Sequence, residues 1–159
     1  MLSEGRIGIT IDEGNYNWGM KTYRALIHES FEDDTTEEII FDNQSIEQIL
    51  ALFEKLDGKS FPVLQILLSN DIYPHLYVIG GPDLFTFSLT KDENLWQETR
   101  TNPDPDTSKW RTFGLGYHNY EFLDDELCNK QVTIRVIKCF CATGEWPIDI
   151  PSKKSDEIW

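Results

Sequence analysis

Residues 61–89 read FPVLQILLSNDIYPHLYVIGGPDLFTFSL, and the fold turns on how this stretch divides. It carries only two charges, Asp71 and Asp83, each beside turn-forming residues. Ser69-Asn70-Asp71 with Pro74, and then Gly80-Gly81-Pro82-Asp83, cut it into three apolar runs. Short runs rich in Val, Ile, Tyr and Phe between such clusters predict strands of an antiparallel meander. In the first, Val63, Gln65 and Leu67 alternate with Leu64, Ile66 and Leu68, so both faces are largely apolar. That pattern suits a central strand covered on both sides. In the third, Phe85, Phe87 and Leu89 face one way and Thr86 and Ser88 the other, giving one dry and one wetter face.

Upstream, Ile7, Ile9 and Ile11 alternate with Arg6, Gly8 and Thr10, the pattern of a half-buried strand over Arg6 to Ile11. Tyr23 to His28 and Ile39 to Phe41 read as further strands. Between them, Glu29 to Glu38 holds six acids and no base, which predicts a solvated loop. Ser45, three residues before Gln48, is placed to cap a helix from Ser45 to Leu56. Ile46, Ile49, Leu50, Phe53 and Leu56 recur at helical spacing, and Asp57-Gly58 stops the run.

Downstream, Thr90 to Lys109 has two prolines and few apolar positions, and reads as one long loop. Trp110 to Tyr117 alternates as a strand that could pair with Tyr120 to Leu123. Asn129 can cap a helix over Lys130 to Ala142, with Val132, Val136, Ile137 and Phe140 on one face and Gly144 at its exit. The β-branched Val132-Thr133-Ile134 argues locally for strand, but period, cap and glycine agree on helix. The tail after Pro151 is polar as far as Trp159 and reads as mobile. The expected fold is α+β, a single domain with an antiparallel central sheet and two main packing helices.

At 159 residues the chain can bury a self-sufficient core. No run of about eighteen apolar residues suggests a membrane span, and the N-terminus lacks a signal-peptide pattern. Three cysteines without an export signal read as reduced thiols in a cytoplasmic protein. Twenty-eight acids against fourteen bases give a net charge of −14. An acidic surface serves solubility, or it is a face matched to a basic partner. Direct nucleic-acid binding is disfavoured, since phosphate contacts need clustered Lys and Arg.

The residues offer no catalytic constellation. Cys139-Phe140-Cys141 lacks the second ligand pair of a zinc site. His28, His75 and His118 are scattered, and no glycine-framed nucleophile or phosphate loop occurs. Asp104-Pro105-Asp106 lacks the further ligands of a calcium loop. Neither metal nor cofactor is expected. Trp18, Trp96 and Trp110 lie in polar surroundings, either as anchors of their own segments or as interface hot spots.

The order of elements, with Phe61-Pro62, Asn70-Asp71, Phe140, Thr143-Gly144 and Pro147, resembles the first immunity-protein family of bacterial polymorphic toxin systems. The resemblance spans about Asp42 to Trp159, and departs from the family in placing Trp159 twelve positions after Pro147. It implies a small acidic α+β protein that binds and neutralises a contact-delivered toxin, often a nucleic-acid deaminase. The partner expected on this resemblance is a cognate toxin domain, basic and acting on nucleic acid. The long acidic loop bracketed by tryptophans suggests a toxin-binding face of Trp96, Asp104, Asp106 and Trp110, assisted by Asp33 and Asp34. An acidic scaffold without a toxin partner is the alternative, and a small hydrolase has no positive support. A toxin gene upstream would separate the first two.

Overall fold

The structure, a computed structural model, describes residues 16–68, 73–92, 95–99, 104, 106–116 and 119–154. The expected strand at Arg6 to Ile11, and Asn70, Asp71, Tyr117, His118 and Trp159, lie outside these residues. The fold is α+β in one domain, an antiparallel sheet with two helices. In chain order the elements are β1 (Tyr23–Ser30), β2 (Thr36–Gln44), α1 (Ile46–Phe53), β3 (Val63–Leu67), β4 (His75–Gly80), β5 (Leu84–Asp92) and β6 (Leu95–Thr99). They continue with β7 (Trp110–Phe113), β8 (Tyr120–Leu123), β9 (Cys128–Asn129), α2 (Lys130–Thr143) and β10 (Ser152–Lys154).

The main sheet runs β10-β6-β5-β4-β3-β1-β2, with β9 attached to β5, while β7 and β8 form a separate hairpin. β3 lies inside the sheet between β1 and β4, as its doubly apolar sequence requires. One face of the sheet, with Ala25, Ile27, Leu64, Ile66, Leu76, Val78, Phe85, Phe87 and Leu89, is buried under the helices. Phe53 of α1 meets Phe85 at 4.8 Å between ring centroids, and Phe87 meets Trp146, just past α2, at 5.0 Å. Trp146 also ties the exit loop to itself, its Nε1 donating to the Ile150 carbonyl at 3.2 Å.

Both helices begin as their caps dictate. Ser45 Oγ accepts from Gln48 N while Gln48 Oε1 accepts from Ser45 N, a reciprocal capping box. Asn129 Oδ1 accepts from Val132 N, and Gly144 ends α2 at φ 76, so helix period and caps prevail over β-branched propensity. Tyr23 OH donates to the Cys141 carbonyl and Trp18 Nε1 to that of Lys138, pinning the start of the sheet to α2. Trp18 is thus an anchor for its own segment. Cys128, Cys139 and Cys141 are buried, and none of them is in a disulfide.

Three expectations are corrected. Thr90 to Lys109 is not one loop, because β5 runs on to Asp92 and turns into β6. β6 sits near the sheet margin with polar residues on both faces, so it lacks the apolar alternation that marks a strand. Glu29 to Glu38 is not a loop either. It is the close of β1, a short turn and the start of β2, whose acids are tolerated because an edge strand projects them into water. Ser152–Lys154, within the expected tail, pairs with β6 as the other edge.

Truncating Phe87→Ala empties a fully buried site and is expected to cost about 3–5 kcal/mol. Urea unfolding should show a lower midpoint at unchanged slope. A loss below about 1 kcal/mol would mean that Phe87 and Trp146 do not pack as described.

Candidate functional site

The sheet face away from the helices differs from the buried one. The register aligns Leu26, Gln65, Tyr77, Ser88 and Glu98 in one row and His28, Val63, Ile79 and Thr86 in the next. Four rings make a chain across it: His28 to Tyr77 at 6.5 Å between centroids, Tyr77 to His75 at 4.9 Å, and His75 to Tyr73 at 5.5 Å. Tyr73, His75 and Tyr77 come together because alternate strand positions share a face. Burial pushes the Tyr77 phenol above its ordinary pKa, and the Glu38 carboxylate and the Tyr120 and Tyr73 phenols push it further. Burial lowers that of His28, with Glu38 opposing, its Oε2 3.5 Å from His28 Nε2. That nitrogen is buried, and among the described residues it makes no hydrogen bond, only this longer contact with Glu38.

The β7–β8 hairpin closes one end of this face. Ser30, at the end of β1, accepts from Leu115 N at 2.9 Å and donates to the Leu115 carbonyl at 3.2 Å. Gly114 N donates to the Gly58 carbonyl, and Phe113 is buried beside that junction. A Cβ on Gly116 would collide with the Asp34 carboxylate. The hairpin tip and the β1–β2 turn are therefore in direct contact.

This contact sets Asp34 at the hairpin tip, whereas Trp110 pairs with Leu123 and Asp106 with Asp125 at the hairpin's other end, so the structure does not bring the two groups together. Asp33 Oδ1 accepts from Thr35 N at 3.1 Å and Thr35 Oγ1 at 2.6 Å. Asp106 Oδ1 accepts from Ser108 N at 2.9 Å and Ser108 Oγ at 2.6 Å. These bonds hold both carboxyls below the usual range, so both groups shape their turns and stay charged. The shared pattern, Asp-x-Thr and Asp-x-Ser, is a legible sign of side-chain-closed turns. Asp106 N also donates to Asp125 Oδ2, and Arg111 Nε bonds Asp124 Oδ1 at 2.9 Å. Trp110 is 59% exposed, with Nε1 tied back to the Thr107 carbonyl at 3.0 Å. Asp104 is exposed beside this turn. Trp96 is not with them: it is half-buried on β6, opposite Thr90, in the sheet itself.

A cleft of about 390 Å³ lies on the far side of β5 and β6, lined by Trp146, Ile148 and Ile150 among others. Its polar groups are already joined, Lys91 to Glu145 at 2.6 Å and Gln97 to Ser152 at 2.7 Å. Among the described residues, no group of three or more His, Cys, Asp and Glu is placed to hold a metal ion. No described helix is long and apolar enough to cross a membrane. No protein-family model matches the chain, and no curated protein matches it.

The His28 environment makes a titration prediction. Its folded pKa lies below the ordinary 6.5, so the unfolded chain binds the extra proton first, and His28 costs stability as pH falls from about 6.5 through the folded value. Imidazole resonances followed by NMR should show His28 titrating below 6.5. Glu38→Gln should lower it further by removing the opposing carboxylate. A midpoint above 6.5 in the wild type would contradict the burial.

Proposed function

We propose that this chain is an immunity protein that binds and neutralises a cognate toxin stoichiometrically, the toxin being basic and acting on nucleic acid. The observation that carries the reading is the gathering of carboxylates from distant segments around one hairpin. Asp104 to Glu126 holds six acids (Asp104, Asp106, Glu121, Asp124, Asp125 and Glu126) against the bases Lys109 and Arg111. Glu32, Asp33 and Asp34 join them through the contact between hairpin tip and turn. Such a layer attracts a basic cleft over long range, and its carboxylates can occupy the positions of substrate phosphates. Trp110 is the exposed aromatic that a partner can desolvate. The resemblance of the chain order to the immunity family supports the same reading.

Co-expression with a toxin domain, should one be encoded upstream, followed by co-purification, tests this directly; the absence of such a gene, or failure to co-purify or to protect cells, would sink it. Given a complex, Glu32→Lys with Glu121→Lys should slow association by roughly tenfold at low salt and flatten its salt dependence. Trp110→Ala should instead speed dissociation, costing about 2 kcal/mol if the ring is desolvated. Should folded variants bind as the wild type does, the interface lies off the hairpin layer.

A further inference from the structure

β2 is the sheet's edge, nine residues long, and no described strand pairs with its outer side. Its bonding direction follows from the adjoining turn. Phe31 N donates to the Thr35 carbonyl, whereas Ser30 N turns the other way and donates to Ser60. Alternation along an antiparallel ladder then points the amides of Glu37, Ile39 and Phe41 at β1, and those of Thr36, Glu38 and Ile40 outward. Ile40 is 55% exposed and Ile39 37%, so apolar surface lies beside the outward amides. The strand carries Glu37, Glu38 and Asp42 and no Lys or Arg.

We propose that the β2 edge receives an extended, Lys/Arg-bearing strand of the partner protein, adding one strand to the sheet. Backbone bonds to Thr36, Glu38 and Ile40 would supply register, Ile39 and Ile40 the apolar contact, and Glu37 and Glu38 the charge match. A second copy of the chain is the poorer fit. Pairing β2 with β2 would set two acidic strands side by side, and the basic edge, β10, is only three residues long. The inference rests on the reading of the chain as a binder of a basic protein, and specifies the mode of contact.

The probe is a ten-residue peptide of alternating lysine and valine, with an alternating glutamate–valine peptide as control. In the isolated protein, the amides of Thr36, Glu38 and Ile40 should exchange rapidly with solvent while those of Ile39 and Phe41 are protected. Slow exchange of the outward set in the free monomer would overturn the proposal, because the edge is then already filled. The lysine peptide should shift and protect the outward amides, and the glutamate peptide should not.

Ile40→Pro removes one outward N–H without touching the ladder to β1, and should keep the fold while weakening the lysine peptide at least tenfold. Glu38→Lys provides a second variant with no backbone change, and should weaken it severalfold. Concentration-dependent dimerisation that Ile40→Pro abolishes would replace the partner strand by a second copy, against the proposal. If the upstream toxin domain binds wild type and Ile40→Pro alike, this mode is wrong and the immunity reading stands. If that domain never binds while the lysine peptide does, the edge proposal stands and the immunity reading fails.

Discussion

The fold depends on the layer contact in which α1 and α2 close over one face of the inner strands. Phe85, Phe87 and Leu89 of β5 meet Phe53, Phe140 and Trp146, and all six are buried. Side chains on a strand alternate strictly, so once this face is buried the opposite one is set residue by residue. A slip of one position in β4 would carry Leu76 and Val78 outward and draw His75 and Tyr77 into the core. The aromatic and histidine face is therefore the other side of the register that builds the core.

How much of this was legible depends on how clearly a segment alternates. β3, β4 and β5 could be read because long apolar runs are cut by strong turn residues. α1 could be read because Ser45 and Gln48 form a capping box at the right interval. β6 was not legible: Gln97 on one face and Trp96 and Glu98 on the other leave no polarity contrast. At a sheet margin, backbone pairing holds such a strand without apolar side chains. The acids of β2 misled for the same reason, since an edge strand tolerates charge where a central strand would not.

The candidate site was partly legible. Asp33 and Asp34 lie in the turn at the hairpin tip and Asp106 and Trp110 at its other end, and no local pattern in the sequence says that the hairpin tip folds back onto the β1–β2 turn. Trp96 was misplaced because its strand was missed. Trp146 was passed over although it follows Gly144 by two residues, where the chain must turn back onto the core. The His28–Tyr77–His75–Tyr73 row had a signal in its alternate spacing at 73, 75 and 77, but His28 joins it only through strand pairing.

The glycine junction beneath the hairpin has a wider meaning. A Cβ on Gly58 would strike the Gly81 carbonyl, and one on Gly81 the Leu56 carbonyl, while Gly114 bonds to Gly58. The exit of α1, the β4–β5 turn and the hairpin thus meet backbone to backbone, where no side chain fits. Its support is fixed by main-chain contact, so exposed rim positions that bear no turn-closing bond do not carry that support. Exposed rim carboxylates such as Glu32 and Glu121 could be exchanged one at a time without disturbing the fold. Single substitutions at that rim would then change its charge without touching the fold, with Gly58 and Gly81 as the positions that admit no side chain.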